Sequence, residues 1–482
     1  MYRAIVLVGV VIGGAAMGSA AMAASASEML EKGIYTEETV GDLDKAISIY
    51  QKVVAEGKAA HALAAQAQYH IGQCLLKKGK KGEATAAFQK LVNDFPDQKE
   101  LVAKARKFLP EGVQLGPVPW VDGETLQLRF RFITGLDIGT QVHAIQSAKL
   151  DGRKVWRVTS RTLVPLSNMR GWSRVDADWD TFRPIEAVFK NTMLGDVTTK
   201  YSPTRMTVTS EGSAAASTKK IDLTQVVYDN EQAMDVFRRL PWASAKMITL
   251  PIIGIGGSKI DLPIEVQGKE MVQVPAGKFE CFKLHLGLVN QTLWYATDPH
   301  RYLVKFEANS VEAALVSIGR LKPGELRHYE DAKQGFSLAM PNDWFYSAMP
   351  QAGVVSPDSV AVFFLDPQMI AQSMLRTAKV ADLKPAEQKS VRTWAEAGAA
   401  ETGRAKKDFK IRPDGRQERK VAGLPAISFV ADYTDGKRKM VEYCTGVLGK
   451  KVGWKFAASV PQDQFDGYRK QFDAIVDSLK VK

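Results

Sequence analysis

From Thr125 to Phe132 apolar and polar residues alternate without a break. Leu126, Leu128, Phe130 and Phe132 fall on one side of an extended chain, and Gln127, Arg129 and Arg131 on the other. A period of two fits a half-buried β-strand and not a helix, whose apolar positions recur every three or four residues. A strand with one wet face belongs to an antiparallel sheet. Asp151-Gly152 lies between two more strand-like runs and suits a two-residue hairpin turn. The pattern continues through Thr198–Ser210 and Lys219–Thr224. It is interrupted by a helix over Asp229–Leu240, with Ala233, Val236, Phe237 and Leu240 facing inward. Residues 117–320 are therefore expected to form an antiparallel β-domain, a sheet curved round that helix or closed toward a barrel.

A chain of 482 residues exceeds one ordinary core, and roughly two to four domains are expected. Residues 25–110 change the period. Ile47, Tyr50 and Val54, then Tyr69, Leu76, Ala84, Phe88 and Leu91, recur at helical spacing. The run Tyr69-His70-Ile71-Gly72 to Ala84, Phe88 and Pro96 resembles a tetratricopeptide repeat, in which small residues let two antiparallel helices approach and an aromatic fills the gap. A looser copy sets Ala46 and Tyr50 where Ala84 and Phe88 stand, and a longer turn is needed near Gly57–His61. The resemblance implies protein–protein contact through the repeats; packing against a neighbouring domain of the same chain is the other reading.

Tyr228-Asp229, Arg239-Leu240-Pro241, Val274-Pro275-Ala276-Gly277-Lys278-Phe279, Leu293-Trp294, Asp298 and Val304-Lys305 resemble, in order and spacing, the envelope family catalogued as domain of unknown function 3108. That resemblance implies a β-domain without established chemistry. Residues 326–482 suggest a third domain. It has strands at Val360–Leu365, Ala426–Tyr433, Lys439–Val447 and Val452–Val460, a helix at Lys389–Glu401, and an amphipathic last helix over Gln464–Leu479. With Gly335-Phe336, Trp344 and Gly423-Leu424-Pro425-Ala426 this pattern resembles the PsbP-like α/β sandwich of extrinsic, docking subunits. The fold class expected is multidomain α + β: helical repeats, a central antiparallel curved sheet or barrel with one helix, and a C-terminal α/β sandwich.

Residues 1–23 read as a secretory signal peptide. Arg3 is followed by the apolar, small-residue run Ala4–Met17, and Ala21-Met22-Ala23 gives the small-x-small cleavage pattern. An exported, periplasmic or extracellular protein is expected, with no transmembrane segment after cleavage. Cys74, Cys281 and Cys444 lie in three different segments and read as core residues rather than a disulfide framework. The balance of 65 Lys+Arg against 53 Asp+Glu, a formal charge of +12, serves solubility. It also suits anionic lipid or acidic polymers better than nucleic acid, which is not an expected partner.

Chemistry leaves little trace. Asp176, Asp178 and Asp180 alternate, but Thr181 and Ala187 stand where a calcium loop needs Gly and Glu. On a strand the three carboxylates would share one wet face. The six histidines show no zinc spacing. Gly254, Gly256 and Gly257 lack the rest of a phosphate loop and suit a hairpin. His300 beside Asp298 and Arg301 fits a turn opened by Asp298-Pro299. Neither a serine elbow nor a zinc-protease motif occurs, so no enzyme, no metal and no cofactor are expected. Arg404, Lys406, Lys407, Lys410, Arg412 and Arg416 form a basic cluster suited to an anionic surface, or else a solvated helix end and hairpin. Two functions follow as expectations. One is a noncatalytic envelope scaffold docking partner proteins through the repeats and the C-terminal domain. The alternative is a carrier or sensor of an apolar ligand such as lipid, walled by Leu126, Leu128, Phe130, Phe132, Trp156 and Trp294.

Overall fold

The computed structural model describes residues 14–55, 60–109, 113–211, 216–322, 324–350 and 360–482. Residues 1–13 of the expected signal peptide, and most of the longer turn expected near Gly57–His61, lie outside them. Five helices come first: α1 (Gly14–Tyr35), α2 (Leu43–Ala55), α3 (His61–Lys77), α4 (Lys81–Asp94) and α5 (Lys99–Arg106). The α1–α2 and α3–α4 pairs repeat one packing device. A Cβ on Gly33 would lie 2.5 Å from the Tyr50 ring, and one on Gly72 would lie 2.5 Å from the Phe88 ring. Each glycine thus admits an aromatic from the second helix of its pair, beside the fully buried Ala46 or Ala84. This is the geometry expected of the two repeat copies. A π-helical turn, Thr36–Val40, ends α1 and stops at Gly41 with φ of 78°, a conformation that costs glycine nothing.

The strands β1 (Glu124–Phe132), β2 (Asp137–Leu150), β3 (Arg153–Val164) and β4 (Met169–Asp178) follow as a meander. It continues with β5 (Pro184–Asn191), β6 (Gly195–Tyr201), β7 (Arg205–Glu211) and β8 (Ser217–Asp222). The chain then enters β9 (Tyr228–Asp229) and a helix, α6 (Ala233–Arg238). A second meander is made of β10 (Met247–Ile253), β11 (Lys259–Val274), β12 (Gly277–Leu286), β13 (Gln291–Ala296), β14 (Leu303–Ala308) and β15 (Val311–Arg320). β15 returns beside β1, antiparallel, with Phe132 opposite Val311 and Glu124 opposite Arg320. The result is one 15-stranded sheet running from β8 through β1 and β15 to β9. It is a curved sheet with two edges, not a closed barrel, and it wraps a core in which Val236, Phe237, Leu240 and Trp242 meet side chains from both meanders. Asp151 and Gly152 turn β2 into β3, both at positive φ, and Gly254–Ser258 turn β10 into β11.

The third unit pairs β16 (Leu326–Asp331) and β17 (Phe336–Pro341) with a short β25 (Lys480–Val481). Its main sheet has seven strands: β18 (Phe345–Pro350), β19 (Val360–Leu365), β20 (Gln372–Lys379), β21 (Lys407–Val421), β22 (Leu424–Asp435), β23 (Arg438–Leu448) and β24 (Val452–Pro461). Helix α7 (Pro385–Lys389) leads into α8 (Val391–Ala405), and α9 (Phe465–Asp477) closes the unit. Ala399 of α8 packs on Phe429, whereas Phe472, Ile475 and Val476 of α9 pack with Val430. Adjacent residues of β22 point to opposite faces, so the sheet lies between the two helices.

One reading of the sequence needs correction. Asp176, Asp178 and Asp180 share no wet face: Asp176 is fully buried between Arg157 and Arg174, and Asp180 has left the strand. The basic stretch runs from a helix end, with Arg404 in the last turn of α8, into a hairpin whose first strand, β21, is kinked by register shifts near Asp408 and Arg412–Gly415.

Candidate interaction sites

The outer face of the first meander is an internal interface. Val142, Leu163 and Trp172 pack against Phe345, Leu365 and Met369 of the third unit. Gln127, expected on a wet face, donates to the Tyr346 carbonyl at 2.9 Å. Arg161 Nε donates to the Pro367 carbonyl at 3.1 Å, and Arg170 Nη2 donates to those of Met369, at 3.1 Å, and Ala371. Burial pushes the Arg161 guanidinium down to about 10, against the pull of Asp366. The Asp366 carboxylate accepts the Gln368, Ile370 and Ala371 amides and the Tyr468 hydroxyl, which fixes the loop those arginines grip.

Inside the sheet, Leu126, Leu128, Trp156 and Trp294 are buried in one apolar cluster and Phe130 packs against it. Phe132 is half-buried at the end of β1. Trp156 stacks on Trp179 with centroids 4.2 Å apart and meets Trp120 edge-on. A charged cluster sits beneath them. His143 Nε2 lies 2.7 Å from Asp235 Oδ2, and Arg238 Nη1 lies 2.7 Å from Glu124 Oε1 and 3.3 Å from Asp235 Oδ1. Burial opposes the Asp235 charge, but His143 and Arg238 outweigh it and hold the carboxyl below its usual range. Ser160 pairs across the strand with His143, its hydroxyl accepts from Gln141 Nε2 at 2.8 Å, and His143 Nδ1 has no partner among the described residues. Ser160 and His143 thus face one another across the strands, with Asp235 at His143 Nε2. Asp298 Oδ1 accepts the His300 and Arg301 amides, so His300 sits in the expected turn. No group of three His, Cys, Asp or Glu suited to a metal occurs among the described residues, and the three cysteines are free and buried.

The repeats present a groove of about 540 Å³ between α3 and α5, the side formed by the first helices of successive pairs. Gln66, Tyr69, His70, Asp97, Lys99 and Lys104 line it. Its floor is braced by Glu37, which is 5% exposed. The Tyr50 hydroxyl, His70 Nδ1 and Lys77 Nζ stand 2.7, 2.8 and 2.8 Å from its carboxylate. Burial would raise this carboxyl, but those three partners hold it below the usual glutamate value.

On the other face of α5 the helices meet the β-domain around a second cavity of about 440 Å³. Five separated segments build it: α4–α5, the β2–β3 turn, the β4–β5 turn, the β6–β7 turn and residues 223–227. Arg106, Arg153, Lys154 and Arg183 face it, with Asp178 and Asp180 as the acids. Asp178 Oδ1 is engaged by the Thr181 amide and hydroxyl at 2.8 and 2.7 Å. Lys154 lies 3.4 Å above the centre of the Trp179 ring. Arg183 Nη1 donates to Gln89 Oε1 at 3.2 Å, across the domain junction. Burial pushes its guanidinium below the ordinary value; Tyr228 and Asp178 oppose that, and Arg106 adds to it.

The basic cluster of the third unit divides. Lys406 is held by Glu442 at 2.6 Å and Arg412 by Asp432 at 2.8 Å, while Arg404, Lys407, Lys410 and Arg416 are exposed.

Residues 125–311 match the family described as protein of unknown function (DUF3108). Residues 66–97 match the tetratricopeptide repeat. The chain thus joins a repeat of that kind, formed by α3 and α4, to a DUF3108 segment that spans β1 to the start of β15. No curated protein matches the chain. Among solved structures it is similar to cyanobacterial PsbP (CyanoP) from Synechocystis sp. PCC 6803, at 18% identity and a TM-score of 0.25, covering 34% of this chain and 96% of that one. It is also similar to LpqN of Mycobacterium tuberculosis, involved in cell envelope biogenesis, at 12% identity and a TM-score of 0.21, over 33% and 86% of the two chains. A candidate exported protein with a YmcC-like fold from Bacteroides fragilis matches at 11% identity and a TM-score of 0.18, over 43% and 100%. No helix among the described residues is long and apolar enough to cross a membrane.

Proposed function

We propose that this chain is a noncatalytic interaction protein of the cell envelope, and that it docks a partner protein in the groove between α3 and α5. The observation that carries the reading is the tetratricopeptide match at residues 66–97 together with an open groove on that repeat's inner side. Tyr69 offers a rigid amphipathic contact, and Lys99 and Lys104 opposite Asp97 allow charge to set the partner's orientation. The envelope location rests on the leader pattern of residues 1–23. The DUF3108 segment and the third unit, packed together through Val142, Leu163 and Trp172, stand behind the groove.

The test is site-specific photocrosslinking from position 69 of the full chain in growing cells. The expected result is a discrete adduct that disappears in a Lys99→Glu/Lys104→Glu variant of unchanged Tm. Absence of any adduct across growth conditions, or an adduct indifferent to both charge reversals, overturns the proposal.

A further inference from the structure

The junction cavity has an electrostatic imbalance that the chain does not resolve by itself. No carboxylate among the described residues stands within ion-pair distance of Arg106, Arg153, Lys154 or Arg183. Asp178 and Asp180 are the acids of the lining, two carboxylates against four cations, and Asp178 Oδ1 also closes its own turn. Arg106 and Arg183 approach from different domains, one on α5 and one after β4, so their like charges are brought together by the docking of the two units. An anion between the half-buried Arg183 and the exposed Arg106 would offset the repulsion between their charges. The rest of the wall is mixed: Val92, Val102, Ile185, Pro203, Leu223 and Val226 form an apolar strip, and Gln89, Thr181, Ser202 and Gln225 stand beside it. A hydrocarbon chain laid along that strip needs no hydrogen-bond partner. A volume of about 440 Å³ falls within the roughly 300–1,000 Å³ of small-molecule sites.

We propose that the cavity between the helical repeats and the β-domain binds a single-chain amphiphile with one anionic head group. The head group sits between Arg106 and Arg183, and the chain lies along Val102, Leu223 and Val226. The site lies on the far face of α5 from the partner groove: Val102 and Arg106, one helical turn apart, look into the cavity, and Glu100 and Lys104, one turn apart on the opposite side, into the groove. A bound amphiphile would tie the repeats to the β-domain and so steady the helix that partners meet.

The full chain without its leader is titrated calorimetrically with decanoate, and separately with acetate, decanol and decyltrimethylammonium. Decanoate is expected to bind one to one, at least tenfold more tightly than acetate, which lacks the chain, and than decanol and decyltrimethylammonium, which lack the anion. Arg183→Gln and Arg106→Gln should each weaken decanoate at least tenfold, and Lys420→Gln, remote on β21, should leave it unchanged. Arg106 is exposed on its helix, so its variant decides the matter if Arg183→Gln fails to fold. The proposal is overturned if decanoate shows no binding at millimolar concentration, if decanol or decyltrimethylammonium binds as tightly, or if both arginine variants bind as the parent does. None of these results bears on the crosslink from position 69, so the two proposals fail separately.

Discussion

Asp229 shows how one side chain reports on its surroundings. It caps the turn leading into α6, accepting the Glu231 amide at 2.9 Å and the Tyr201 hydroxyl at 2.5 Å. Burial pushes its carboxyl up to about 6 from an ordinary 3.8, in spite of those hydrogen bonds. Between those two values the folded chain holds a proton that the unfolded chain has released. Stability attributable to this group therefore falls as pH rises through that window, by roughly 3 kcal/mol in all. Asp229→Asn should abolish that slope, so urea-melt stabilities of parent and variant will converge or cross between pH 4 and 7; parallel curves would contradict the assignment. In the sequence this aspartate was visible only as part of a family pattern, because its role depends on Tyr201, 28 residues earlier. The same holds for Arg183, whose partners come from segments that no local pattern links. Asp176 misled for a related reason: alternation places a residue on a face but does not say what covers the face.

At the level of elements, much more was legible. The alternation of β1, the Asp151-Gly152 turn and the last amphipathic helix all appear where local rules put them, since hydrophobic period and turn chemistry act over a few residues. The long β21 was hidden because its charges are paired through space, Arg412 with Asp432 and Arg419 with Asp473, and its kinks break the period. The helical pairs offer a direct check. Gly72→Ala would drive a methyl into the Phe88 ring, and overpacking of this kind costs about 1–3 kcal/mol. Chemical denaturation followed by helix signal should show that loss, and Gly72→Ala/Phe88→Leu should recover part of it. If the single variant is as stable as the parent, the close approach of α3 and α4 is wrong.

For the whole molecule, the interface between the first meander and the third unit governs cooperativity. Deleting residues 326–482 would bare Val142, Leu163 and Trp172 and strip Arg161 and Arg170 of their carbonyl partners. The shortened protein is expected to melt at lower temperature and to bind an apolar dye, and an unchanged Tm would show that the units are independent. The sheet carries a further consequence through the pairing of β1 with β15. Each meander can zip locally as it is made, but the seam between them joins residues at opposite ends of the domain. β1 must wait beside an unfilled neighbour until the ribosome has delivered Arg320. Closing that seam is a late event of high contact order, and until then the chain carries a half-finished sheet whose exposed strand is a target for chaperones.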